Sequence, residues 1–199
     1  MERILFIHGF GGDKTSSTGQ NVKKVLKDMD VDFTFITDTF ELLDYNGTLS
    51  KIDFLVKENN ISLIISHSFG AFYTLCYKGN VKKILINPCM EPSVAIPPLM
   101  KTPTEEELKS YNKYFNCDDS LFIKQYEKAE KDAYSNVDSS NKIFGIFAKN
   151  DELFSCKDKF TSLYATNKED NSIRVEGGHK IGVDSLKIAL PKAITYINS

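Results

Sequence analysis

Short apolar runs alternate along this chain with helix-length segments, and that rhythm limits the fold more than any other feature. The runs are Ile4–Ile7, Phe33–Ile36, Ser62–Ser66, Lys83–Ile86, Ile143–Ala148 and Ser172–Val175. Each is short enough for a strand and too short for a buried helix. Between the first two, Val22, Val25, Leu26 and Met29 recur at helical spacing, and between the next two Leu49, Ile52, Leu55 and Val56 do the same. Asn59-Asn60 ends that second helix. The C-terminal segment carries Leu186, Ala189, Leu190, Ala193 and Ile197 on one face, with Pro191 expected to kink the helix or to start its second half. Strands that return through helices take right-handed crossovers and build a parallel sheet covered on both faces. At 199 residues the chain has room for a single domain over 1–199.

The alternation fails once. From Pro88 to Lys142 there is no good strand. The stretch opens on prolines 88, 92, 97, 98 and 103, which read as loop chemistry. Thr104-Glu105-Glu106-Glu107 then has the capping-box pattern, in which the threonine hydroxyl and a glutamate carboxylate satisfy end amides reciprocally. A helix bearing Leu108, Tyr111 and Phe115 is expected to follow, and a second bearing Phe122, Tyr126, Ala129 and Ala133. Residues 88–142 therefore read as a helical insertion, a cap over one end of the sheet.

Lys+Arg number 25 against 27 Asp+Glu, a net charge of −2. That balance argues against a nucleic-acid groove or a polybasic membrane patch, which need clustered positive charge. The four-residue apolar run at the N-terminus is too short for a signal-peptide core, and no run approaches the roughly 18 apolar residues of a membrane span. Cys76, Cys89, Cys117 and Cys156 form no C-x-x-C pair and read as free thiols. A cytoplasmic protein without resident metal is the expectation.

Three segments at strand ends carry chemistry. Ser66-His67-Ser68-Phe69-Gly70-Ala71 joins the third strand to an apolar helix. A serine at that turn projects its hydroxyl while the helix N-terminus points amides at the same place, and the crowded turn demands small residues two before and two after. Ser66 and Gly70 meet that demand, although glycine is usual at the first of these positions. Ser68 as a simple helix cap is the plainer alternative. A serine nucleophile needs an adjacent base, usually a histidine oriented by a carboxylate. His179 lies in Gly177-Gly178-His179-Lys180 after the last strand, and Asp151 follows the fifth. Glu152 and, one strand earlier, Glu91 are the other candidate acids. His67, adjacent to Ser68, is expected to point away from it and to be structural.

After the first strand comes His8-Gly9-Phe10-Gly11-Gly12. Acyl transfer needs two backbone N–H groups aimed at the developing oxyanion. Phe69, following the serine, and Phe10 in this loop are the candidates, with His8 bracing the loop. A nucleotide site fits poorly. Asp13 stands where a phosphate loop needs glycine before Lys14-Thr15, and Lys14 takes the third glycine of a dinucleotide fingerprint.

His8-Gly9-Phe10, Ser66-His67-Ser68-Phe69-Gly70, Asn87-Pro88 and Gly177-Gly178-His179 together resemble the small α/β-hydrolase-fold serine esterases of the YqiA/YcfP type. The resemblance runs from residue 8 to residue 179. It implies a three-layer α/β-hydrolase fold with a minimal six-stranded parallel sheet. It further implies Ser68 as nucleophile, Asp151 as acid and His179 as base, acting on a small carboxylic ester or thioester without cofactor. Ser66 and Lys180 depart from the family pattern. Tyr111, Phe115 and Phe122 in the insertion are candidate walls for an acyl group, or else pack the insertion on the sheet. A non-catalytic binding protein, or a peptidase or carbon–carbon hydrolase, would use the same fold.

Overall fold

The computed structural model describes residues 1–101, 119–135, 142–165 and 170–199. The strands are β1 (Glu2–Ile7), β2 (Phe33–Thr37), β3 (Leu63–His67), β4 (Lys82–Ile86), β5 (Ile143–Ala148) and β6 (Ser172–Val175). They form one sheet in the order β2-β1-β3-β4-β5-β6, and every pairing is parallel. The helices, in chain order, are α1 (Ser17–Asp28), α2 (Tyr45–Glu58), α3 (Phe69–Cys76), α4 (Pro92–Lys101), α5 (Asp119–Ser135), α6 (Lys157–Tyr164) and α7 (Val183–Asn198).

Two-sided burial explains why β3 and β5 read as unbroken apolar runs: every residue of both is buried. Alternate side chains serve opposite layers. Leu63 and Ile65 of β3 pack with Val22, Val25 and Leu26 of α1 and with Leu186, Ala189, Leu190 and Ala193 of α7. Ile64 faces the other way, toward Ile52 of α2 and Phe72 and Tyr73 of α3. Burying each such Leu or Ile contributes roughly 1.5–3 kcal/mol. Local chemistry places the helix starts. The Ser16 side chain accepts from the Gly19 amide at 3.3 Å, and Asp44 Oδ1 accepts from the Gly47 amide at 3.0 Å.

The prolines misdirect. Residues 92–101 form α4 despite Pro97 and Pro98 inside it. The helix holds because Pro92, Ser93, Ile96, Pro97 and Met100 make one buried stripe, and that packing outweighs the two missing amide donors. Glu130 of α5 accepts from the Ser93 amide at 2.8 Å, capping α4 from outside. α5 itself follows the expected spacing, with Phe122, Tyr126, Ala129 and Ala133 all buried. It packs on α4 and α3. The expected capping box at Thr104 and the helix through Leu108, Tyr111 and Phe115 lie outside the described residues. Pro191 sits within a single continuous helix rather than between two. α6 has no apolar periodicity in the sequence: it is short and buries only Phe160 fully. Among the described residues, Cys76, Cys89 and Cys156 are free, and no helix is long and apolar enough to cross a membrane.

Candidate active site

Parallel strands bring their carboxyl ends to one edge, and the loops leaving that edge meet there. β3 delivers Ser68. Its backbone is at φ 56°, ψ −125°, a region costly for a residue with a Cβ. Three backbone hydrogen bonds hold it there. The Ser68 amide donates to the Ile86 carbonyl at 3.0 Å, and the Ser68 carbonyl accepts from Ala71 and Cys89, each at 3.0 Å. The strain thus serves to lift one hydroxyl out of a turn between strand and helix.

The turn also explains Gly70. A Cβ there would lie 2.2 Å from the His8 carbonyl oxygen and 2.8 Å from that of Ile7. Both obstacles are main chain, so neither can swing aside. Gly70→Ala is expected to cost about 3 kcal/mol or more, read as a lowered urea midpoint at unchanged slope.

The loop after β1 presses on the same serine. A Cβ at Gly9 would stand 2.7 Å from Ser68 Cβ and 3.2 Å from its Oγ. His8 braces that loop, as expected. Its Nδ1–H donates to the Gly9 carbonyl at 2.8 Å, and its Nε2 accepts from the Phe40 amide at 2.9 Å. Burial pushes the His8 imidazole below its ordinary value, consistent with the neutral ring this pattern requires. Phe10, in this loop, packs on the core cluster that contains Phe69. Phe69 opens α3, where first-turn amides have no partner within the helix.

The loop after β6 carries Gly177-Gly178-His179. Gly177 is at φ 133°, a conformation that excludes a side chain at low cost. The Asn150 amide donates to the Gly177 carbonyl at 3.0 Å, tying the loop after β5 to the loop after β6. That tie aligns the side chains. Ser68 Oγ lies 2.9 Å from His179 Nε2, and both oxygens of Asp151 lie 3.0 Å from His179 Nδ1. The carboxylate can only accept, so Nδ1 carries the proton and Nε2 accepts from the serine hydroxyl. The His179 and Asp151 side chains are only 8% and 5% exposed, so water screens this line little. Burial pushes the Asp151 carboxyl up, but hydrogen bonds from His179 and from the Phe154 and Leu153 amides outweigh it and hold the group below its ordinary value. Such a line can take the serine proton onto an imidazole whose positive charge is met by a carboxylate.

The other candidate acids stand elsewhere. Glu91 pairs with Lys159 at 2.8 Å, and Glu152 accepts the His179 main-chain amide at 2.9 Å. His67, expected to point away from Ser68 and to be structural, directs its ring to the His179 segment. Its ring centroid is 4.8 Å from that of His179, and its Nε2 lies 3.0 Å from the His179 carbonyl oxygen. Phe154, unflagged by the sequence, sets its ring edge-on to His179 with centroids 4.9 Å apart. Phe122 stacks on Tyr126 at 4.2 Å and meets the Phe69 ring at 6.4 Å. Tyr111 and Phe115 lie outside the described residues.

No protein-family model matches the chain, and no curated protein does. Solved structures do. Est1E from Butyrivibrio proteoclasticus, in a structure with ferulic acid bound, is 15% identical, with a TM-score of 0.67 over 98% of this chain and 90% of that one. The ydeN gene product from B. subtilis is 14% identical, with a TM-score of 0.60 over 98% and 100%. The esterase domain of a Rhodothermus marinus protein is also 14% identical, with a TM-score of 0.59 over 94% and 81%. The fold of this chain is that of the α/β-hydrolases.

Proposed function

We propose that the chain is a serine hydrolase that cleaves carboxylic esters or thioesters through an acyl-enzyme intermediate. The observation that carries this reading is the hydrogen-bonded line Ser68–His179–Asp151, with Nε2 2.9 Å from the hydroxyl that would attack. His179 takes the Ser68 proton as Oγ bonds to the acyl carbon. The carbonyl electron pair moves onto oxygen, and the Phe10 and Phe69 amides stabilise that oxyanion, each worth roughly 10²–10³ in rate. Collapse of the tetrahedral adduct expels the alkoxide or thiolate, which takes the proton back from His179. Water then enters and gives a proton to His179 as its oxygen bonds to the acyl carbon; collapse of this second adduct breaks the bond to Ser68 Oγ, which takes the proton back from His179 as the acid leaves. Asp151 holds the imidazole in the productive tautomer throughout and stabilises its charged form. No step needs a metal or a cofactor.

On this reading residues 88–142 act as a cap, and Phe122 and Phe154 supply apolar surface beside the acyl group. Within that class the chain resembles the YqiA/YcfP-type esterases. The resemblance rests on the four sequence motifs, three of which contribute residues to the contacts described above.

A fluorophosphonate probe tests the reading, because it reacts only with an activated serine. Wild-type protein is expected to gain one adduct, mapped to Ser68 by peptide mass spectrometry. It should also hydrolyse p-nitrophenyl esters. Failure of both would turn the reading toward a non-catalytic binding protein on a hydrolase fold.

A further inference from the structure

The main chain of His179 is gripped at both ends, a feature that catalysis by three side chains does not itself demand. His67 Nε2–H donates to the His179 carbonyl at 3.0 Å, and Asn87 Nδ2 donates to the same oxygen at 2.8 Å. Two donors thus use both lone pairs of one carbonyl. At the other end, Glu152 Oε2 accepts from the His179 amide at 2.9 Å.

Asn87 is itself held. Asn87 sits at φ 42°, donates a second hydrogen bond to the Gly178 carbonyl at 3.2 Å, and accepts from the Ala148 amide at 2.7 Å. It therefore fastens the end of β4 to both the β5 end and the base loop. Burial drives the His67 imidazole down to about 3, so the ring is neutral and brings no cation beside His179. Glu152 can reach its amide because position 178 is glycine: a Cβ there would stand 2.9 Å from Oε2.

We propose that His67, Asn87 and Glu152 are positioning residues that clamp the His179 backbone and so fix its imidazole against Ser68. The proposal rests on the serine-hydrolase reading. Loops are the mobile parts of such a fold, and a base carried on a Gly-Gly loop drifts unless its main chain is tied. Drift of about 1 Å between reacting groups can cost 10²-fold in rate.

The test uses kcat and KM for p-nitrophenyl acetate together with the downfield proton resonance of His179 Nδ1–H in one-dimensional NMR. Glu152 is an exposed side chain, so E152A is the variant safest for folding. It should lower kcat about 10-fold with KM little changed, and E152Q, which keeps an acceptor oxygen, should recover most of that loss. H67F, which keeps a ring and loses the donor, should lower kcat further, and H67Q should recover part of it. In E152A and H67F the downfield resonance should broaden or vanish, and it should persist in the two rescue variants. Wild-type kcat and a sharp resonance in both E152A and H67F would overturn the clamp and leave the hydrolase reading intact. If wild type lacks hydrolysis and probe labelling, the hydrolase reading fails. The resonance then decides the clamp alone: loss in E152A with retention in E152Q supports it, and retention in both overturns it.

Discussion

Ser68→Ala is expected to lower kcat for ester hydrolysis by about 10⁶-fold, to the level set by the remaining binding and oxyanion groups. The same change should abolish fluorophosphonate labelling. Losing the hydroxyl removes the atom that, on the proposed mechanism, bonds to the acyl carbon, and no second hydroxyl is hydrogen-bonded to His179 among the described residues. The fold should persist. Alanine keeps the Cβ and therefore the same strained φ of 56°, and the three backbone hydrogen bonds that enforce it involve no side chain. Circular dichroism and the urea midpoint should stay close to wild type while activity vanishes. Labelling that survives in Ser68→Ala would move the nucleophile to another residue.

The sheet is legible in the sequence because burial on both faces writes the inner strands β1, β3, β4 and β5 largely as apolar runs, while the edge strands β2 and β6 are only partly buried. β5 and β6 have the expected bounds, and β1 differs only by starting at Glu2. The helices on the faces show through their spacing, since Val22, Val25 and Leu26 must all reach one layer. α4 was hidden because proline propensity argues against a helix, whereas the stabilising term is the tertiary burial of Ile96, Pro97 and Met100, invisible in a local window. α6 was hidden for the opposite reason: one fully buried residue, Phe160, makes no periodic pattern.

The site divides similarly. Ser68, Asp151 and His179 each follow a strand, and their meeting is a consequence of parallel topology, so strand ends locate them. What surrounds them has no local signature. Asn87 reaches residues 178 and 179 from β4, and Glu152 reaches the His179 amide from the loop after β5. Such side-chain to main-chain contacts across large sequence separations leave no spacing to read. A signal did exist for Asn87. Asparagine tolerates the left-handed region better than most residues with a side chain, and Asn87 adopts it at φ 42° although the following proline favours extended backbone. Glu152 is a candidate acid in the sequence because it neighbours Asp151, and adjacency does not tell which carboxylate faces the ring and which the backbone.

Asp151→Asn decides that assignment, and its expected effect is about 10⁴-fold on kcat. The size follows from the hydrogen bonds around the carboxylate. Asp151 Oδ1 accepts the Leu153 amide at 2.9 Å and the Phe154 amide at 3.0 Å, while among the described residues Oδ2 meets His179 Nδ1 alone. An asparagine there keeps its oxygen on the two amides, because turning it would set donor against donor. Its NH₂ then faces Nδ1, which must accept. The imidazole proton moves to Nε2, and Nε2 can no longer take the proton of Ser68 at 2.9 Å. The structure is nearly unchanged and the tautomer is wrong, so kcat falls while KM stays near wild type. Glu91→Gln should keep wild-type kcat, because that carboxylate pairs with Lys159 away from the line. A wild-type rate in Asp151→Asn, with loss in Glu91→Gln, would place the acid at the end of β4 and remove the tautomer argument.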